Sequence, residues 1–269
     1  MSQVTAEMDE RQWADRIKKV AGPVLVIIVA AVLYWLATGR KTYGSDVVGQ
    51  GTWDWAFFFS LVPDMIEALT VTAFATIYGF TLAVVLGLFL ALGRRSKNRW
   101  ISAPFVGFIE FVRSTPLLVQ LLVYFNGLPS LGIQLTPLQT VTLGLGIHYA
   151  TYCSEAYRAG INSVAKGQWE ASVALNLSPS TTWTRVVLPQ AIPNVLPALG
   201  NFLVAGFKDA PLGFVIGVPG LMFFARTVGN REFRPTEPLL LIGIGFLLVS
   251  LPAAWLVRRL EERISYERI

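Results

Sequence analysis

Several ionisable side chains lie inside apolar stretches of this chain. Glu110 and Arg113 are three residues apart in one stretch, and Lys208 and Asp209 are adjacent in another. Charged groups inside a bilayer are rare and commonly mark the route of an ion or solute. We therefore expect these residues to line a pathway for a charged or zwitterionic solute. The alternative is that they only neutralise one another, and Glu110 and Arg113 are close enough on a helix to pair.

Two further residues extend this candidate pathway. Thr115 precedes Pro116, which breaks a helix and frees backbone groups that need partners in the protein or from water. Broken helices with polar residues at membrane depth often mark a transport pathway. His148 is the only histidine of the chain, and it either contacts the solute or packs as a hydrogen-bonded residue. The candidate pathway residues are thus Glu110, Arg113, Thr115, His148, Lys208 and Asp209.

Composition excludes other kinds of chemistry. With one His and one Cys, the chain has neither the ligands of a zinc site nor an H-E-x-x-H motif, so we predict no metal site and no catalytic residues. No Gly is followed by Lys, so the phosphate-binding loop G-x-x-x-x-G-K-[ST] is absent. We expect a chain that is not an enzyme and has no cofactor of its own. Any ATP and Mg²⁺ would be bound by a partner subunit.

The elements that position these residues are predicted to be membrane helices. Of the 269 residues, 54% are hydrophobic and 14% are charged, whereas soluble domains carry about 25% charged residues. About 20 apolar residues cross a bilayer. Charge-free windows of that length predict an all-α integral membrane protein with about six transmembrane helices. They lie near residues 23–39, 66–92, 102–125, 138–157, 194–217 and 238–257.

Basic residues predict the orientation of these helices. Most of the 22 Lys and Arg residues fall on the side of the two termini, which the positive-inside rule places in the cytoplasm. The net charge of +5 then reflects topology, and we expect no nucleic-acid partner. Residues 1–22 would be cytoplasmic, 23–39 an N-terminal anchor and 40–63 a periplasmic segment. A cleaved signal peptide is the alternative for 23–39, but its apolar core is too long.

The longest polar connection, residues 158–193, offers a surface for a partner protein. Residues 167–175 favour a helix, and residues 181–187 favour a second one that runs into Leu188-Pro189. The first helix has an apolar stripe at every fourth residue, formed by Trp169, Val173 and Leu177. The stripe could face lipid, or the helix could dock in a cleft of a cytoplasmic protein.

This connection resembles the EAA motif of bacterial ABC importer permeases. That pattern is Glu-Ala-Ala, three residues, Gly, nine residues, Ile, any residue and Leu-Pro. The matching positions here are Glu170-Ala171-Ser172, Asn176, Val186 and Leu188-Pro189. Ser172, Asn176 and Val186 depart from the pattern. Asn tolerates the left-handed backbone conformation that Gly supplies, so we expect Asn176 to adopt it.

A second stretch supports the same resemblance. Residues 110–120 are similar to the F-R-[GS]-T-P-L-L-V-Q segment of the polar amino acid uptake branch, and residues 154–171 are similar to the stretch that leads into its EAA motif. The resemblance covers about residues 64–260. It implies a MetI-like permease domain over those residues, with one extra N-terminal helix before it.

The resemblance also implies a function and partners. The chain would be the permease subunit of an ATP-driven importer of polar amino acids in the bacterial inner membrane. Its partners would be cytoplasmic ATP-binding subunits, an identical or related second permease subunit and an external solute-binding protein. Residues 158–193, which we call the coupling segment, would contact the ATPase. The implied coupling residues are Gly167, Trp169, Glu170, Ala171, Ser172, Asn176, Leu188 and Pro189.

Two alternatives remain at this point. The same machine could import a compatible solute such as ectoine, because that branch is similar. More remotely, the chain could be an ATP-independent channel or a secondary transporter. The inverted repeat that is typical of many secondary transporters is not visible in the sequence.

Overall fold

The computed structural model describes residues 53–266, in which every regular element is helical. The all-α prediction is therefore confirmed for this part of the chain. The predicted segments 1–22 and 23–39, and residues 40–52, lie outside the described residues. The longer α-helices are α1 Trp55–Ser60, α2 Val62–Arg94, α3 Arg99–Arg113, α4 Leu117–Gly127, α5 Pro137–Asn162, α6 Lys166–Ala174, α7 Leu188–Asp209, α8 Leu221–Arg231 and α9 Thr236–Tyr266.

Helix α5 is the centre of the bundle and packs along the whole of α2. Small residues on α2 recur at every fourth position, at Gly79, Ala83 and Gly87, and they let the two backbones approach closely. A Cβ atom at Gly87 would lie 2.6 Å from the Cβ of Cys153 on α5. This seam and its neighbours on α4 and α7 form the main apolar core.

The N-terminus of α5 is fixed by its own sequence. Thr136 accepts a hydrogen bond from the backbone N–H of Gln139, and the Gln139 side chain accepts one from the N–H of Thr136. Pro137 takes the first helical position, where its missing N–H costs nothing. These 26 residues include the predicted span 138–157. With these polar side chains, α5 is not apolar enough to count among the membrane-crossing segments described next. This fits a helix that is enclosed by other helices.

Three helical segments among the described residues are long and apolar enough to cross a membrane: Val62–Arg94, Pro179–Ile216 and Thr236–Arg263. They contain the predicted spans 66–92 and 238–257 and all but the last residue of the predicted span 194–217. A fourth crossing arises if the bent pair α3 and α4, with the 3₁₀-helix Leu128–Leu131 that follows, is counted as one.

The predicted span 102–125 is not one straight helix. Helix α3 ends at Arg113 and α4 begins at Leu117, and the two halves are inclined by 106°. Pro116 has an extended ψ of 137° and cannot donate a backbone hydrogen bond, so the helix ends at the Ser-Thr pair before it. The break turns the carbonyl end of α3 towards the core.

The helix before α7 starts earlier than predicted. A helical turn begins at Pro179 and continues as a π-helix, Thr182–Val187, directly into α7. The predicted helix over residues 181–187 thus continues through Leu188-Pro189 without a break, because the wider π turn accommodates the ring of Pro189. The Leu188 N–H donates to Trp183 five residues back. Much of the predicted polar loop is thus a continuation of a membrane helix.

Candidate functional site

Gln120 closes the break between α3 and α4. Its buried side-chain amide donates to the carbonyl oxygens of Val112 at 2.8 Å and Thr115 at 3.1 Å, and lies 2.8 Å from the Thr115 hydroxyl. Pro116 has no N–H for the Val112 carbonyl four residues back, and this carbonyl accepts from the Gln120 amide, the Thr115 N–H at 3.3 Å and the Thr115 hydroxyl at 3.1 Å. Of the two sources of partners that the sequence left open, the protein and water, the protein supplies these, and Thr115 contributes both its N–H and its hydroxyl.

The other end of Gln120 faces His148 on α5. Its Oε1 lies 3.3 Å from the His148 Nδ1 atom. The imidazole packs against Tyr149 and Tyr152, with ring centroids 5.5 and 5.3 Å away. Phe202 on α7 completes this aromatic group, 5.7 Å from Tyr152. His148 is therefore hydrogen-bonded, as one of the two roles that the sequence left open requires, and it belongs to a polar cluster midway along α5.

Asp209 joins this group from the end of α7. The Tyr149 hydroxyl donates to its Oδ2 at 2.7 Å. Gly206, one turn before Asp209, lies beside the Tyr149 ring. Asp209 thus has its partner on another helix, α5.

Arg113 pairs with Glu155 instead of Glu110. Its Nη1 lies 3.7 Å from Glu155 Oε1, and its guanidinium carbon lies 5.3 Å from the centre of the Tyr152 ring. The alternative that Glu110 and Arg113 neutralise one another is therefore wrong, because α3 turns Arg113 towards Glu155 on α5. Glu155 also binds Arg94 at 2.6 Å and Arg158 at 2.7 Å. One carboxylate thus holds arginines from α2, α3 and α5 together.

Glu110 and Lys208 do not join these contacts. Both are exposed, and neither makes an ion pair within residues 53–266. Four of the six candidate pathway residues are therefore brought into one network: Arg113, Thr115, His148 and Asp209.

In the coupling segment, helix α6 packs one side on the protein and leaves the other side exposed. Ser172 is buried and donates to the Gln168 carbonyl at 2.8 Å, and Trp169 packs edge-to-face on Trp183 at 5.5 Å. Val173, however, is 79% exposed. The stripe of Trp169, Val173 and Leu177 does not face outwards as a whole, because Trp169 packs on Trp183 while Val173 is exposed. Gly167, Glu170 and Ala171 lie on the opposite, exposed side of α6.

Asn176 ends α6 in the left-handed conformation, with a φ of 50°. The Leu177 N–H bonds to the Ser172 carbonyl at 3.0 Å, and the Asn176 N–H bonds to the Val173 carbonyl at 2.9 Å. This is a Schellman cap, which usually has Gly at the left-handed position. The expectation that Asn176 takes the conformation of Gly is confirmed.

The second half of the coupling segment ties α6 to the bundle. Leu188 and Pro189 are exposed at the start of α7. The next side chain, Gln190, donates to Gln168 at 3.4 Å. On the other side, the Arg95 guanidinium lies 5.6 Å from the centre of the Trp183 ring. Contacts from α2 and α7 thus hold α6 against the membrane helices.

Sequence reasoning missed residues that complete the network. They are Gln120, Tyr149, Tyr152, Phe202 and, as a partner of Arg113, Glu155. Gln120 ends the stretch similar to F-R-[GS]-T-P-L-L-V-Q, so it could have been found as the polar residue nearest to the break. Tyr149 and Tyr152 flank His148 on a helix turn. The link from Arg113 to Glu155 carries no local signal.

Together, these features define a class: a helical membrane protein with a polar, aromatic network among its long helices and a short, exposed helix, α6, between two of them. A family model described as the binding-protein-dependent transport system inner membrane component matches residues 83–266. The chain therefore belongs to this family of ABC transporter permeases. It is a membrane-embedded transport component.

Individual relatives of this chain are also amino-acid transport permeases. The chain is 41% identical over 212 residues to the probable amino-acid ABC transporter permease protein y4tG of Sinorhizobium fredii, covering 77% of this chain and 92% of that protein. It is 31% identical over 215 residues to the glutamine transport system permease protein GlnP of Escherichia coli, covering 79% and 98%.

A solved structure shows the same fold. It is the crystal structure of an amino acid ABC transporter with histidines, with a TM-score of 0.75 and 33% identity, covering 79% of this chain and 100% of that one. The MetI-like permease fold implied by the sequence is confirmed.

Proposed function

We propose that this chain is a permease subunit of an ATP-driven, binding-protein-dependent importer of polar amino acids in the bacterial inner membrane. The observation that supports this most directly is the 41% identity to a probable amino-acid ABC transporter permease. The ectoine alternative is not favoured, because the relatives and the solved structure described above are of amino-acid transporters. The proposed topology keeps both termini in the cytoplasm, as the basic residues predict.

The network around His148 is proposed to meet the solute. An amino acid carries an ammonium and a carboxylate, so its pathway needs both an acceptor and a cation. Asp209 supplies a carboxylate on one side of Tyr149, and Arg113 supplies a guanidinium over Tyr152. Arg113 is the least tightly bound of the three arginines at Glu155, and its side chain is 37% exposed. It is therefore free to turn towards a solute carboxylate.

The coupling segment is proposed to dock in a groove of the ATPase. Its exposed face combines a carboxylate, Glu170, with the apolar side chains Val173 and Leu175, which are 79% and 72% exposed. Apolar side chains that stand out on a cytoplasmic helix are typical of a surface that a partner covers. A second permease subunit would complete the pathway, and an external solute-binding protein would deliver the solute. ATP and Mg²⁺ would be bound by the ATPase.

Transport in proteoliposomes tests this function. The permease and its ATPase would be reconstituted with the binding protein, and uptake of radiolabelled L-glutamine and L-arginine would be measured. We expect uptake that needs both ATP and the binding protein. Uptake that persists without ATP hydrolysis would instead support the channel or secondary-transporter alternative.

The coupling role is tested by charge reversal at Glu170. Glu170→Lys should weaken binding of the ATPase without affecting membrane insertion, because Glu170 is exposed and makes no ion pair within residues 53–266. Co-purification of the ATPase is the measurement. Lys166→Glu, which reverses the charge one turn earlier on α6, is the matched control. Unchanged co-purification of Glu170→Lys would argue against the coupling assignment.

The pathway role is tested by Arg113→Ala. Uptake should fall while the complex still assembles, because Arg94 and Arg158 remain to neutralise Glu155. Lys208→Ala is a useful comparison, since Lys208 lies outside the network. Loss of folded Arg113→Ala protein would show that Arg113 has only a structural role.

A further inference from the structure

The orientation of the Gln120 amide follows from its partners. Three oxygen atoms surround its nitrogen: the carbonyls of Val112 and Thr115 and the Thr115 hydroxyl. A carbonyl oxygen can only accept a hydrogen bond, so the NH₂ group must face the helix break. The Oε1 atom is therefore the one that faces His148, 3.3 Å from Nδ1.

This orientation determines which nitrogen of His148 carries the proton. The Oε1 atom of an amide can only accept, so the His148 Nδ1 atom must be the donor. In a neutral imidazole the other nitrogen, Nε2, is then an acceptor. Nε2 makes no hydrogen bond within residues 53–266. The imidazole thus presents an acceptor beside Tyr149 and Tyr152, with Asp209 beyond Tyr149.

We propose that Gln120 is a positioning residue for solute recognition, which holds His148 as the neutral Nδ1–H tautomer so that Nε2 accepts a hydrogen bond from the ammonium group of the solute. This rests on the proposed function, because it assigns the solute an ammonium. The same amide holds the end of α3 at Val112, one residue before Arg113. Gln120 thus does two things. It makes His148 Nε2 an acceptor for the ammonium group of the solute, and it holds the end of α3, which carries Arg113 for the solute carboxylate.

The tautomer can be measured directly because His148 is the only histidine of the chain. The full permease would be purified with a histidine-free affinity tag, labelled with ¹⁵N-histidine and placed in lipid nanodiscs at neutral pH. We expect one imidazole spin system with a protonated Nδ1 and an unprotonated Nε2. A protonated Nε2, in either the other tautomer or the imidazolium form, would overturn the proposal. This measurement needs no variant.

A pair of variants then separates positioning from folding. Gln120→Leu removes the acceptor, so we expect the imidazole signals to shift towards a mixture of tautomers. Asn126→Leu is the matched control, because Asn126 is an amide on the same helix whose side chain bonds, within residues 53–266, only to the Leu122 carbonyl, at 2.8 Å. Its spectrum should match that of the wild type. A folded Gln120→Leu protein with an unchanged tautomer would overturn the positioning role.

Transport by the reconstituted complex provides the second readout. For Gln120→Leu, the apparent KM for amino acid uptake should rise about fivefold, the effect of one lost hydrogen bond. Asn126→Leu should leave it unchanged. An unaltered KM in Gln120→Leu would overturn the role in recognition. Absence of amino acid uptake by the wild type would refute the proposed function instead, and the spectrum would still report the tautomer.

Discussion

The network around His148 and the coupling segment differ in how their side chains find partners. In the network, polar side chains find partners within the chain: Gln120 closes the helix break, and Tyr149 binds Asp209. The bilayer has no water to replace such partners. In the coupling segment, Val173 and Leu175 are left exposed, next to the carboxylate of Glu170. The difference shows where this molecule is complete by itself and where it leaves surface for another protein.

The largest loss of stability is expected from substitution of Glu155, the carboxylate that pairs with three arginines. Glu155→Gln leaves Arg94, Arg113 and Arg158 together without a countercharge. Removing one partner from a largely enclosed ion-pair group should lower the free energy of unfolding by about 3 kcal/mol. Thermal unfolding of the detergent-solubilised protein is the measurement.

Glu110→Gln is the matched control for that change. Glu110 is exposed and makes no ion pair within the described part of the chain, so its effect should be about 0.5 kcal/mol or less. Equal destabilisation by the two substitutions would contradict the view that Glu155 is the organising carboxylate.

The second effect tests how rigid the α2–α5 seam is. Gly87→Ala places a Cβ atom 2.6 Å from Cys153 Cβ and 2.8 Å from the Ala150 carbonyl oxygen, so the two helices must move apart. Overpacking of this kind should cost about 2 kcal/mol. Gly107→Ala, at a helical position with open space around it, should be neutral or slightly stabilising. If both substitutions were equally tolerated in thermal unfolding, the seam would not be close-packed.

The same contrast explains what could be predicted from the sequence. Pro116 predicts a break, and Asn176 predicts a left-handed cap, because each effect is set by the residue itself and its immediate neighbours. The partner of Arg113 could not be predicted. Its local neighbour Glu110 is in reach on an ideal helix, but the 106° bend after α3 and the packing on α5 bring Arg113 to Glu155.

The coupling segment shows a second limit of the sequence. A period of four residues correctly predicts that α6 is a helix. It does not predict which side packs, since Trp169 turns towards Trp183 while Val173 turns outwards. Apolar residues lie on both the packed and the exposed side of α6, so the periodicity alone does not separate the two sides.

The third effect concerns the bond between Tyr149 and Asp209. Tyr149→Phe keeps the ring contacts but removes the donor 2.7 Å from the carboxylate. A hydrogen bond to a charged group contributes about 1.5 kcal/mol, and we expect thermal unfolding to show a loss of that size. Tyr78→Phe is the control, because Tyr78 is 62% exposed on α2. An equal response from both tyrosines would mean that Asp209 does not depend on this bond.

The smallest effect is expected at the end of α6, and it tests the coupling segment alone. Asn176 has a φ of 50°, which costs about 1 kcal/mol for a residue such as Ala and nothing for Gly. Asn176→Ala should therefore weaken the cap by that amount, and Asn176→Gly should leave it intact. Because the segment is exposed, local opening reports the change better than global unfolding does. Hydrogen exchange at the Leu177 amide, which bonds to Ser172, should be about fivefold faster in Asn176→Ala and unchanged in Asn176→Gly. If Asn176→Ala exchanged at the wild-type rate, the segment would not rely on its cap, and contact with α7 would have to hold it in place.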